Sequence, residues 1–169
     1  MANHLLLIPK VLKWEGGFIN HPNDKGGATN KGVTLSTFRK YFGKTKTVND
    51  LKNITNEQWQ YIFKNGFWDR WKADEIKTQS IANLLVDWTF NSGTWGIKYP
   101  QQVLGVVPDG VVGPKTIAAI NNYPSQAELF YKLWNRRKKH YEDIVKRNPS
   151  QKVFLKGWMN RLNSFKYNG

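Results

Sequence analysis

Two carboxylates near the start of this chain could do acid–base chemistry, and one of them stands on a helix face where solvated surface is a poor explanation for it. In the segment before Gly16-Gly17, Ile8, Val11, Leu12 and Glu15 fall at i, i+3, i+4 and i+7, so Glu15 projects from the face whose apolar residues should enter the core. Burial of a carboxylate favours its protonated form, which is what a general acid requires near neutral pH. A terminal residue that frays outward or caps a neighbour would fit the same position. Nine residues on, Asp24 lies in a run dense in Asn, Asp, Gly and Thr, with Thr29 and Asn30 close behind as candidate substrate contacts. A buried acid followed by an exposed, hydrogen-bonded Asp suits the cutting of a glycosidic bond. One group protonates the leaving oxygen, while the other stabilises the oxocarbenium ion, attacks it or activates water. Asp24 as a plain turn residue is the competing reading.

A third set of polar residues lies at mid-chain. Asn83, Asp87 and Asn91 are spaced i, i+4 and i+8 in a segment whose Ile81, Leu84, Leu85 and Trp88 mark a buried helix. Buried polar groups without partners cost about 1–3 kcal/mol each, so this ridge must line a ligand cleft or bond internally. Asp87, Asn91 and Trp88 are therefore candidates for substrate contact. Trp14, Trp68, Trp71 and Trp95 join Trp88 as rings that either stack on sugar faces or build the core.

The elements that must position these groups read as mainly helical. A first helix over 4–15, kinked or started near Pro9, is expected to stop at Gly16-Gly17 with a left-handed cap. Residues 18–33 read as a loop or short β-ribbon. Further helices are expected over 35–42, from Thr55 (capping-box spacing to Gln58) toward Phe67, and over 80–91, 99–104, 115–121, 125–146 and 150–165. No repeat or flexible linker stands out, and any boundary near 92–96 reads as a packed junction.

Composition narrows the chemistry. The 169 residues carry 26 Lys and Arg against 12 Asp and Glu, a formal charge of +14, with 8 Trp and no Cys. Forty per cent apolar residues are enough for a core. The missing thiols exclude cysteine nucleophiles, disulfides and Cys-ligated zinc, and His4, His21 and His140 lack zinc-hydrolase spacing. No metal or other cofactor is expected. Neither a G-x-S-x-G elbow nor a phosphate-binding Gly-Lys-Ser/Thr loop is present. No stretch is apolar enough to span a bilayer, and Leu5-Leu6-Leu7-Ile8 ends at Pro9, too short for a signal peptide. The charge points to a polyanionic partner such as a cell-wall polymer; a nucleic acid would be expected to bring a recognisable motif, and none is found. The run Arg136-Arg137-Lys138-Lys139 reads as the solvated face of a helix.

Trp14-Glu15-Gly16-Gly17-Phe18, Asn20, Asp24 and Gly26-Gly27-Ala28-Thr29-Asn30-Lys31-Gly32-Val33-Thr34 resemble glycoside hydrolase family 108, the phage-type and bacterial N-acetylmuramidases. Val86–Gly93, Asp109-Gly110-Val111-Val112-Gly113-Pro114-Lys115-Thr116 and the helix over 154–165 resemble the predicted peptidoglycan-binding region that accompanies it. The resemblance extends over about residues 7–165. It implies a mainly α, lysozyme-like fold with a glycoside hydrolase region over 1–93 and a peptidoglycan-binding region over 94–169, packed into one unit. It also implies that Glu15 is the catalytic glutamate, in agreement with its helix face, with Asp24 matching the acid before the Gly-Gly pair. Lys31 departs from the aromatic residue of many relatives, which implies a differently furnished sugar subsite. The implied activity is cleavage of the β-1,4 bond between N-acetylmuramic acid and N-acetylglucosamine. A monomer is expected, and with no signal peptide in the sequence it is expected to reach the wall through a holin or another release route, or as a phage or prophage product. The alternative is a catalytically weak peptidoglycan-binding protein.

Overall fold

The computed structural model describes residues 1–20 and 27–169. Helix α1 (His4–Trp14) starts at Asn3, whose side chain accepts from the Leu5 amide, and it runs unbroken through Pro9. Asn3 is tied in turn to Gln79, which accepts from its N–H at 2.7 Å and donates to its carbonyl at 3.1 Å. Leu7, Ile8 and Val11 are the buried positions of α1. The helix does not end on a left-handed glycine as expected. Glu15 itself is the C-cap, turning to extended backbone (φ −80°, ψ 133°) while its N–H still reaches the Val11 carbonyl.

The expected ribbon is a three-stranded antiparallel sheet, β1 (Phe18–Ile19), β2 (Thr29–Asn30) and β3 (Val33–Thr34), in the order β1-β2-β3. Asn30 pairs with Val33, so Lys31 and Gly32 form a two-residue turn. Both take positive φ, 50° and 80°, as a turn matched to strand twist requires.

Four helical pieces follow the ribbon: α2 (Leu35–Phe42), the short α3 (Val48–Lys52), and α4 (Asn56–Phe63) running into one π-helical turn over Lys64–Trp68. Thr47 and Thr55 each begin a helix with a reciprocal capping box. The core is organised around α5 (Gln79–Ser92), in which every residue from Ser80 to Thr89 is buried. Against it pack α1, α6 (Trp95–Leu104) and α8 (Gln126–Arg147), and α9 (Lys152–Asn163) lies on α8. Helix α7 (Pro114–Asn121) packs on α6. The α5–α6 crossing depends on Gly96, where a β-carbon would sit 2.6 Å from the Thr89 backbone. No helix among the described residues is long and apolar enough to cross a membrane.

The basic run of α8 is not the solvated face that its composition suggested. Arg137 is fully buried, Arg136 lies 3.8 Å over the Tyr99 ring, and Lys139 is exposed and pairs with Asp143 at 2.7 Å. Four consecutive residues of a helix cover most of its circumference, so a run of four cations must send at least one inward.

Candidate active site

At the end of α1, Glu15 is held between two elements distant in sequence. Its Oε1 accepts from Arg161 Nη1 of α9 at 2.7 Å, and its side chain is only 14% exposed. Its Oε2 faces the β2–β3 turn, where a β-carbon on Gly32 would lie 2.8 Å from that oxygen and 2.7 Å from the Phe90 ring. Glycine is needed at this turn both for its positive φ and for this close approach. The turn is fixed from behind by Trp59, whose indole N–H donates to the Lys31 carbonyl at 2.9 Å. Among the described residues, Arg161 is the hydrogen-bond partner of the carboxylate.

Arg161 is itself gripped by Asp87. Its Nη2 meets Asp87 Oδ1 at 2.6 Å, and its Nε lies 3.2 Å from both oxygens. The second oxygen of Asp87 accepts from Arg137 Nη2 at 2.7 Å. Arg137 then donates to Tyr141 Oη at 2.9 Å and to the Leu84 carbonyl, and Tyr141 donates to Asn91 Oδ1 at 2.8 Å. A continuous bonded chain thus runs from Glu15 through Arg161, Asp87, Arg137 and Tyr141 to Asn91. Burial by itself would push the Asp87 carboxyl up. The two guanidinium charges, with their hydrogen bonds, outweigh it and hold the group below its ordinary value.

The predicted site residues sort into distinct places. Asp87 is fully buried and saturated by two arginines, so it positions Arg161 and meets no ligand. Of the two fates open to the polar ridge, internal bonding is the one observed for Asp87, and Asn83 likewise accepts from Gln79 at 2.7 Å. Asn91, exposed at the end of the same helix, is open to a ligand. Trp88 is wholly buried, as are Trp68 and Trp71, which places these three rings in the core rather than on a sugar. Trp95 is 48% exposed. Asn30 spends its amide hydrogens on the carbonyls of Leu51 and Lys52, anchoring the ribbon to the end of α3, and Thr29 is half-buried in β2. Asp24 lies outside the described residues. Arg161 and Arg137 were missed as members of the site, although Leu133, Arg137 and Tyr141 recur at i, i+4 and i+8 on the buried stripe of α8.

Chemically, the arrangement offers one carboxylate at the rim of the ribbon, with one oxygen anchored by a guanidinium and the other turned toward a glycine that leaves room beside it. Such a group can give a proton to, or take one from, a substrate atom lying over the turn.

Comparison with known proteins bears on this geometry. A family model described as glycosyl hydrolase 108 matches residues 8–93, and one described as a predicted peptidoglycan domain matches residues 95–163. The solved structure of SagA from Brucella abortus is similar, with 29% sequence identity and a TM-score of 0.80, covering 95% of this chain and 90% of that one. The mainly α, lysozyme-like fold expected from the sequence is the one observed. No curated protein matches.

Proposed function

The chain belongs to glycosyl hydrolase family 108, and on that premise we propose that it is a peptidoglycan hydrolase of N-acetylmuramidase type, with Glu15 as general acid. It cleaves the β-1,4 bond between N-acetylmuramic acid and N-acetylglucosamine. The observation that carries this reading is the Glu15 carboxylate itself, anchored through Oε1 by Arg161 and placed against Gly32 at the edge of the ribbon. Anchoring one oxygen fixes the direction in which the other presents its proton, and such fixed geometry is a large part of what an enzyme adds to acid catalysis. Asp24, nine residues along the chain, supplies the second carboxylate of the pair. The predicted peptidoglycan domain over 95–163 favours the cell-wall polymer as the glycan, and the +14 charge favours capture by the phosphates and carboxylates of a wall.

The test is to digest purified peptidoglycan, reduce the new ends with borohydride and analyse the reduced sugars. Reduced muramic acid at the new ends is the expected product. Reduced glucosamine at the ends would make the protein a glucosaminidase, and an absence of new reducing ends would overturn the assignment.

Gly32→Ala is a further expected outcome. The added methyl meets Glu15 Oε2 and the Phe90 ring at under 3 Å, on a residue at φ 80°. The positive φ should destabilise the protein by about 1 kcal/mol. Turnover should fall well beyond the loss of folded protein, because the carboxylate must swing aside. Melting and wall-hydrolysis rates on the same sample separate the two effects, and equal losses would show that Gly32 serves the turn alone.

A further inference from the structure

At the far end of the bonded chain from Glu15, Tyr141 and Asn91 form part of the wall of a cavity of about 430 Å³, together with Trp95, Tyr99, His140 and Trp158. This size is in the range of small-ligand sites. Two aromatic pairs border it: Trp95 on Tyr99, with centroids 5.1 Å apart and planes within 25°, and Tyr141 on Trp158, at 5.3 Å and 29°. Trp95 keeps 48% of its surface exposed, although stacking rings of that size are normally covered.

A polar group without a partner sits among the same rings. His140 is only 6% exposed, lines the cavity, and has no partner for Nδ1 among the described residues. A buried unpartnered group costs about 1–3 kcal/mol, and a histidine in that condition in the cavity wall calls for a ligand with hydrogen-bonding atoms. Burial, reinforced by Arg136, Arg147 and Arg137, lowers the His140 pKa to about 4, so the imidazole is neutral at pH 7 and offers one donor and one acceptor. The arginines disfavour a cationic ligand. An uncharged ring with a flat apolar face and an amide fits best: the face on the exposed tryptophan, the amide on the imidazole.

We propose that this cavity is a second saccharide-binding site, taking an N-acetylated hexosamine of a glycan strand against Trp95, with its acetamido group on His140. The identity of the strand rests on the reading of the substrate as a cell-wall glycan; the cavity is built from residues other than Glu15. Because Tyr141 and Asn91 belong both to its wall and to the bonded chain, occupancy would brace Arg161.

The experiment titrates wild-type protein with the trimer of N-acetylglucosamine and with the trimer of glucosamine, following indole N–H and imidazole C–H signals by NMR. Expected are saturable shifts at Trp95 and His140. The Trp68 indole, bonded to Asp74 at 2.8 Å, should stay still. Deacetylation of the ligand and Trp95→Ala, an exposed position whose loss spares the core, should each weaken binding at least ten-fold. Shifts confined to the Lys31–Gly32 turn, an unaltered affinity in Trp95→Ala, or equal binding of the two trimers would overturn the proposal. A Glu15→Gln protein that kept full hydrolytic activity would remove the assignment of Glu15 and leave this titration intact, so the two readings fail separately.

Discussion

Glu15→Gln should lower cleavage of purified peptidoglycan by at least about 100-fold while leaving a protein that melts cooperatively near the wild-type temperature. Glutamine keeps the shape of the α1 cap, and its amide oxygen can still accept from Arg161 Nη1. What it lacks is a transferable proton, and loss of general acid catalysis typically removes a factor of 100 to 10,000. The fold is protected because Arg161 retains its contacts to Asp87, so no buried cation is left without an anion. Reducing-end release and a thermal melt on one preparation test both halves. Hydrolysis within a few-fold of wild type, in a folded variant, would take the acid role away from Glu15.

The second large effect is on stability. Asp87→Asn removes the one anion shared by Arg137 and Arg161, both nearly or wholly out of solvent. Breaking a buried ion pair from one side typically costs about 3–5 kcal/mol. At about 2–4 °C per kcal/mol for a chain of this length, the melting temperature should drop by roughly 6–20 °C. The effect carries a pH signature. Because the folded Asp87 carboxyl lies below its ordinary value, its stabilisation is fully present above the unfolded value near pH 4. It is lost as the pH falls toward the lowered folded value. The gap in melting temperature between wild type and Asp87→Asn should therefore be constant from pH 5 to 8 and shrink below about pH 4. A gap under 2 °C at neutral pH, or one that persists undiminished in acid, would refute the account of this network.

Helical periodicity located α1, α4, α5 and α8 because each carries an apolar stripe that repeats over its turns. Helix α3 escaped it, being five residues long and defined by the Thr47 capping box rather than by a stripe. Helix α6 begins at Trp95, four residues before the Tyr99 start that the sequence suggested. Gly96 looks like a helix breaker in sequence, yet it lies inside α6 because only a residue without a β-carbon can approach Thr89. In the site, Glu15 was legible because its position on one helix face is a local property. The fate of Asp87 was not: its partners lie 50 and 74 residues away, and an i, i+4, i+8 polar ridge looks the same whether it meets a sugar or an arginine. Arg137 was hidden by its neighbours, since composition saw a block of charge where the stripe Leu133, Arg137, Tyr141 saw one inward cation.

The ion-pair chain also bears on how such a protein can be inherited. Glu15 and Asp87 come from the stretch matched by the hydrolase family model, whereas Arg137 and Arg161 come from the stretch matched by the predicted peptidoglycan domain. Recombination that paired either half with a foreign partner would strand two acids or two guanidiniums in a dry interior. A foreign half would have to bring matching charges with it, a constraint that detachable wall-binding modules escape.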